Sequence, residues 1–283
     1  MKVRFWGVRG SIPVPGAETA RYGGNSACVE VRIEGAAPLV LDAGTGARAL
    51  GQALGAEGVR KVHLLFSHFH MDHVFGFPFF APVYSPNTRV EVVVPAHSEI
   101  DGEQKLARYL NGLYHPVRLA DVRDSLEFRP VRPDQDLAVG PYRVRTIGLS
   151  HPGGACGYRI DAGGRSMAYL SDTAPLARPG EGLLVGRRPP GLEQRALQLL
   201  RGVDLVVMDT MFERDEYLER MTWGHGYPEY AVGLCEAAGV GHLVLFHHAP
   251  DATDAVLDAR AARWAAHAGL RVSLAIEGQA LSA

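Results

Sequence analysis

The chain has 283 residues, 47% of them hydrophobic and 21% charged, with a formal net charge of -2. That balance suits a globular protein able to bury a core as one domain over 1–283, and it gives no general attraction to a polyanion such as DNA or RNA, although a local basic patch for a small phosphate stays open. Cys28, Cys156 and Cys235 are far apart and form no Cys-x-x-Cys pair, which argues against a disulfide framework and a thiolate zinc site and fits a reducing cytoplasm.

The opening Met1-Lys2-Val3-Arg4-Phe5-Trp6 has no apolar h-region or cleavage site and reads as a first strand, not a signal peptide. No apolar run approaches the length of a bilayer span. β-Branched and apolar runs bounded by Gly and Pro predict strands over 3–7, 28–33 and 39–41. A short helix over 47–54 follows the turn Asp42-Ala43-Gly44-Thr45-Gly46. The continuous apolar run 62–66 predicts a buried central strand. Further strands are expected over 89–94, 126–129, 142–147, 156–160, 167–170, 205–208, 243–246 and 271–275, with helices over 103–111, 192–200, 228–238 and 252–268. Strands come early in each half and helices accumulate late, which predicts two sheets packed face to face with helices outside. The Gly-, Pro- and Arg-rich stretch 174–190 reads as a surface excursion.

The run Ser67-His68-Phe69-His70-Met71-Asp72-His73 follows directly on the buried strand. In an extended segment, side chains two apart point the same way, so His68 and His70 are placed to grip one ion together. Asp72 and His73 lie where the chain turns toward a helix and face a neighbouring ion. Imidazole and carboxylate suit zinc, and manganese or iron would also accept them. His151, Asp172 and His247 stand at the ends of later strands. The tally then gives one ion His68, His70 and His151, gives the other Asp72, His73 and His247, and leaves Asp172 to bridge them. Each ion keeps room for a shared hydroxide, the mark of a catalytic rather than a structural site.

This pattern, His-x-His-x-Asp-His with a distant His, an Asp after a strand and a last His, resembles the metallo-β-lactamase superfamily. Within it the chain is similar to the phosphodiesterase branch that includes tRNase Z and cyclic phosphodiesterases. The likeness runs from Phe5-Trp6-Gly7-Val8-Arg9-Gly10-Ser11 to Phe246-His247-His248-Ala249-Pro250. It implies an α/β fold, the αββα four-layer sandwich, with two divalent metals at one edge of the sheets. It also implies that Asp42 orients histidine ligands. Trp223-Gly224-His225-Gly226 resembles the branch's His-Ser-Thr motif, and Val206-Val207-Met208-Asp209-Thr210 its strand ending in an acidic residue. In that branch such a pair is a histidine assisting the leaving oxygen and a carboxylate orienting it, roles that fall to His225 and Asp209. Two departures stand out: Gly226-Tyr227 replaces Ser-Thr, and the shorter Asp209 stands where glutamate is common. Tyr22-Gly23-Gly24-Asn25-Ser26 resembles a loop at the family's active-site rim, which makes Asn25 a rim candidate; His248, beside a ligand but on the opposite strand face, is another. His63, His97, His115, His242 and His267 have no motif context and are expected in structural or exposed roles. Arg187-Arg188 reads as a solvated loop.

The leading expectation is a cytoplasmic, metal-dependent phosphodiesterase that cleaves a small or cyclic diester through a hydroxide bridging two ions. No membrane partner is expected, a small phosphodiester rather than nucleic acid is the expected substrate with nucleic acid left open, and a homodimer is left open. tRNA 3′ processing is the nearest alternative, but 174–190 is short and lysine-free for an RNA-gripping arm. Lactone or thioester hydrolysis by the same cage has no need of the Asp209–His225 pair. A non-catalytic binding protein would need neither a full ligand set nor a proton donor.

Overall fold

The computed structural model describes residues 1–96, 102–176 and 191–283. His97, Arg187-Arg188 and most of the 174–190 excursion lie outside them. The strands are β1 (Lys2–Gly7), β2 (Cys28–Arg32), β3 (Leu39–Leu41), β4 (Lys61–Leu65), β5 (Arg89–Pro95), β6 (Leu126–Val131), β7 (Asp136–Val139), β8 (Tyr142–Leu149), β9 (Ala155–Ala162), β10 (Arg165–Leu170), β11 (Leu205–Asp209), β12 (His242–Phe246), β13 (Arg271–Leu274) and β14 (Ala280–Ser282). The helices are α1 (Ala47–Ala56), α2 (Met71–Val74), α3 (Gly102–Tyr109), α4 (Leu119–Val122), α5 (Leu192–Leu200), α6 (Arg214–Glu219), α7 (Pro228–Ala238) and α8 (Asp254–Ala265).

Two seven-stranded sheets result, ordered β14-β1-β2-β3-β4-β5-β6 and β13-β12-β11-β10-β9-β8-β7. Both are mixed: β3 through β6 run parallel, as do β10 through β13, while the hairpin-linked strands run antiparallel. The inner faces meet in a shared core, where Phe5, Leu41 and Leu65 of the first sheet oppose Tyr158, Tyr169, Val207 and Phe246 of the second. Phe5 and Phe246 touch across it with ring centroids 6.1 Å apart. On the outer face of the first sheet, α1, α3 and α4 lay down Leu50, Leu54, Leu106 and Val122. On that of the second, α5, α7 and α8 contribute Ala196, Val232, Cys235, Leu257 and Trp264. With both faces covered, the central strands lose the polar–apolar alternation of a half-exposed sheet. That is why β4, β11 and β12 are largely apolar, interrupted by Lys61 and His63 in β4, Asp209 at the end of β11 and His242 at the start of β12. The four-layer αββα sandwich is the architecture of this chain.

Two strands went unanticipated. β7 is a four-residue edge strand with a single buried side chain, and β14 is three residues of largely exposed chain, held only by pairing with β1. The last long helix begins at Asp254 rather than Ala252, because the Thr253 hydroxyl accepts from the Val256 N–H and caps it.

The parallel strands point their C-terminal ends at one edge, and the loops leaving β3, β4, β10, β11 and β12 meet there. Their packing demands bare backbone. A Cβ on Gly76 would lie 1.9 Å from the Gly44 carbonyl oxygen, and the Gly76 N–H donates to Ala43 O at 2.8 Å. Gly76→Ala is therefore expected to destabilise the fold by about 1–3 kcal/mol and, by displacing the turn after Asp42, to weaken metal binding. Urea denaturation reads the first effect and metal titration the second; wild-type values in both would contradict this close approach.

Candidate metal centre

Three of the site-bearing loops follow strands at which the backbone turns sharply. Asp42 after β3, Asp172 after β10 and His247 after β12 adopt φ of 60°, 59° and 63°, a left-handed conformation uncommon for residues other than glycine. Each turn aims a side chain back across the sheet edge. The β4 loop delivers His68 and His70, then α2 carries Asp72 and His73 in its single turn.

The structure brings the seven proposed ligands together in two groups sharing Asp172: His68, His70 and His151 with Asp172, and Asp72, His73 and His247 with Asp172. Asp172 Oδ2 lies 3.7 Å from His68 Nε2 and 3.5 Å from His151 Nε2, while its Oδ1 lies 3.0 Å from His73 Nε2 and 3.1 Å from His247 Nε2. One carboxylate thus presents one oxygen to each group. Asp72 Oδ2 closes the second group, 3.2 Å from His73 Nε2 and 3.1 Å from His247 Nε2, and accepts from the Ser11 N–H at 2.8 Å. In the first group His70 Nδ1 and His151 Nε2 are 2.9 Å apart. A tetrahedral ion with ligands at 2.0–2.1 Å separates its donors by about 3.3 Å, so these spacings are those of a coordination shell.

The donor chemistry fits divalent ions. His68 Nε2 and His73 Nε2 are buried without a hydrogen bond, a state that polar atoms rarely keep without a partner. Their other nitrogens are committed. His73 Nδ1 donates to Asp42 Oδ2 at 2.8 Å, His68 Nδ1 donates to Ser67 Oγ at 3.0 Å, and Ser67 Oγ passes the chain on to Asp42 Oδ2 at 2.7 Å. His151 Nδ1 donates to Gly224 O at 2.9 Å. These bonds fix the tautomers so that the Nε2 lone pairs face inward. Asp42, wholly buried, also accepts from the Ser67 N–H at 2.6 Å and the Tyr169 hydroxyl at 2.8 Å.

The electrostatics agree. Burial pushes the His68 imidazole well below its usual range and His151 down to about 4, leaving both neutral and ready to ligate. Burial also opposes charge on His73 and Asp72, but their mutual attraction wins: Asp72 is held below the carboxylate range, and Asp72, Asp172 and Asp42 hold His73 well above the imidazole range. A proton on His73 Nε2 sits where a cation would, so proton and metal compete for one place.

Beside the cage, His225 Nδ1 donates to Asp209 Oδ2 at 2.8 Å and lies 3.9 Å from Asp172 Oδ2. Asp209 is itself clamped by the Thr173 N–H at 3.1 Å and the Met211 N–H at 2.9 Å. Burial alone would lower the His225 imidazole; the Asp209 charge and hydrogen bond outweigh it and push it up to about 9.

Two rim expectations are corrected. His248 is fully buried behind the site, its Nε2 bonded to Ala275 O at 2.9 Å, because the residue after His247 turns to the opposite face. Asn25 has its amide committed to Glu277 Oε1 at 2.6 Å and lines a separate depression with Pro13, Thr19 and Glu277. His63, His115, His242 and His267 bond elsewhere, to Glu91, Val117, Ser273 and Glu236. Ser67, Tyr169, Ser11 and Thr173 went unassigned in sequence. Only Ser67, preceding the His-rich run, and Ser11, ending Gly7-Val8-Arg9-Gly10-Ser11, carried any positional signal.

The ligand geometry predicts two ions per chain by metal analysis. Asp172→Ala removes the shared ligand and is expected to lose both ions. Asp42→Asn leaves every ligand atom in place but breaks its charge contact with His73, and is expected to weaken metal binding about 10–100-fold. One ion per wild-type chain, or full binding by Asp172→Ala, would contradict the bridged arrangement.

The beta-lactamase superfamily domain matches residues 39–248. Ribonuclease Z of Synechococcus sp. (strain CC9605) is 27% identical, covering 88% of this chain and 87% of the relative. Ribonuclease Z of Thermoplasma acidophilum is 23% identical, covering 90% and 88%. The crystal structure of the metallo-beta-lactamase fold protein YhfI from Bacillus subtilis superposes with a TM-score of 0.70 at 20% identity, over 99% of this chain and 98% of that one. Among the described residues, no helix is long and apolar enough to cross a membrane. The chain belongs to the beta-lactamase superfamily domain family and is a metal-dependent hydrolase.

Proposed function

We propose that the protein hydrolyses phosphodiester bonds of RNA, as a tRNA 3′-processing endonuclease, with zinc as its ion. The observation carrying the phosphodiesterase reading is the Asp209–His225 pair, 2.8 Å apart and abutting the bridging Asp172. An alkoxide is a poor leaving group until protonated. His225, its Nδ1 tied to Asp209, holds a proton for the departing oxygen at Nε2. Asp209 keeps the ring oriented and favours its charged form. When bound, two divalent ions supply a water acidic enough to attack near neutral pH and offset the phosphate charge. His68, His70, His151, Asp72, His73, His247 and Asp172 would hold them, with Asp42 and Ser67 fixing ring orientation. A lactone or thioester hydrolase with the same cage has no use for the Asp209–His225 pair.

RNA is the substrate class supported by the relatives named Ribonuclease Z, aligned along nearly their whole length. This reverses the order expected from sequence, in which a small or cyclic diester stood first. The small diester remains the second reading, favoured by a cleft of about 740 Å³ beside the metal ligands, whose only lysine or arginine walls among the described residues are Lys105 and Arg108.

The test compares a tRNA precursor bearing a 3′ trailer with a cyclic nucleotide, each at several salt concentrations. RNA processing predicts trailer cleavage, with affinity falling as salt rises by a log–log slope of about -0.7 for each single-strand phosphate contacted. Cyclic nucleotide turnover without trailer cleavage would select the second reading. On either substrate, His225→Ala is expected to keep its metal while turnover with an alkoxide leaving group falls about 10²–10⁴-fold. The same variant should be much less impaired on a p-nitrophenyl diester, whose leaving group needs little protonation. Equal impairment on both would remove His225 from proton donation.

A further inference from the structure

The cleft beside the metal centre has a wall that the hydrolytic machinery does not use. It opens directly from His68 and His70 and is bounded by the segment carrying them, by α3 and the chain beyond it, and by Pro152-Gly153-Gly154. On α3, Lys105, Arg108 and Tyr109 are spaced three and four residues apart and so share a face, while Leu106 anchors the helix in the core. Lys105 Nζ lies over the Phe69 ring, 5.2 Å from its centroid. The helix starts hard against that ring, since a Cβ on Gly102 would come within 2.8 Å of Phe69 Cζ. Tyr114 adds a second phenol ring, 76% exposed, at the mouth. Opposite, Gly153 and Gly154 at φ 80° and 83° present bare backbone. Among the described residues, no carboxylate lines the cleft.

The Phe69, Tyr109 and Tyr114 rings lining one cleft, two cations, no opposing acid among the described residues and continuity with the proposed metal ligands describe a receptor for a planar ring joined to phosphate. We infer that this cleft is a nucleoside subsite in which a base stacks against Phe69, Tyr109 and Tyr114, Lys105 and Arg108 hold an adjoining phosphate, and the scissile phosphate lies at His68 and His70. Stacking serves any base, because every base has a π-face. The subsite thus selects nucleotide over alkyl diesters without reading sequence. This inference rests on the phosphodiesterase reading for its scissile phosphate, yet binding tests it separately from turnover.

The test is calorimetric titration of the metal-loaded, full-length protein with adenosine 5′-monophosphate and with glycerol 3-phosphate, which carry the same phosphate charge with and without a base. The nucleotide should bind about 5- to 150-fold tighter, the range expected for one stacked base. Tyr114→Ala, at an exposed position, and Tyr109→Leu should each shrink that ratio and leave metal content at the wild-type level. Lys105→Met should weaken both ligands by the same factor. Equal affinity for the two ligands, or a ratio untouched by both tyrosine variants, would overturn the subsite. A protein that binds the nucleotide preferentially but cleaves no diester would keep the subsite and sink the phosphodiesterase reading. One that cleaves diesters with no preference between nucleotide and alkyl substrates would do the reverse.

Discussion

Four aspartates are buried at one edge of the two sheets: Asp42 and Asp209 at 0% exposure, Asp172 at 1% and Asp72 at 5%. So much negative charge held away from water is the constraint from which the rest of the site follows. A buried carboxylate without a partner costs several kcal/mol, so every one is surrounded. Asp42 and Asp209 are satisfied by protein alone, the first by Ser67, His73 and Tyr169, the second by His225, Thr173 and Met211. Asp72 and Asp172 are not. Beyond the Ser11 N–H on Asp72 and the Ser171 hydroxyl on Asp172, their neighbours are imidazole nitrogens at 3.0 to 3.9 Å. Those nitrogens stabilise the charge only by taking up protons or by sharing a cation. The division between orienting and ligating aspartates is thus written in how each one's lone pairs are filled.

The sheet edge makes that crowding possible. Parallel strands deliver their C-terminal ends side by side, but a strand continuing straight would carry its next side chain out into solvent. The left-handed turns at Asp42, Asp172 and His247 fold the chain back at once. Aspartate tolerates such a backbone better than most residues. The His247 conformation is held by packing as well, since the ring stacks between His73 and His225 at 5.4 and 5.1 Å, and Gly10 stands where any Cβ would strike it at 2.5 Å. Strain at the last ligand is thereby supported by a glycine far away in sequence.

What could be read from the chain alone divides along the same physical line. Strands buried on both faces, such as β12 and β4 beyond Lys61, are legible because that burial forces a largely apolar run. The His-rich segment is legible because so many donors rarely cluster without a metal. β7 and β14 are not, since their stability comes from one neighbouring strand and leaves no pattern in so few residues. Asn25 and His248 show the limit of reasoning by adjacency in sequence. One side chain is taken by Glu277 from the far end of the chain, and the other turns inward to bond the Ala275 carbonyl. The Ser67–Asp42–Tyr169 network joins three strands through hydroxyls, and no local pattern marks a serine or tyrosine for that task.

The same network logic joins His225 to Asp172, the proposed proton donor and metal bridge. Asp209 Oδ2 accepts both from His225 Nδ1 and from the backbone N–H of Thr173, the residue directly after Asp172. His225 and the segment carrying Asp172 therefore hang from one oxygen atom, and a shift of β11 against β10 would change the spacing between His225 and Asp172. The parallel pairing of those strands, Leu170 opposite Met208, sets that offset. His151 is tied into the same arrangement, because the carbonyl that accepts from its Nδ1 belongs to Gly224, the residue directly before His225. One loop thus fixes the His151 ring through the Gly224 carbonyl and presents His225, the proposed proton donor, to Asp209.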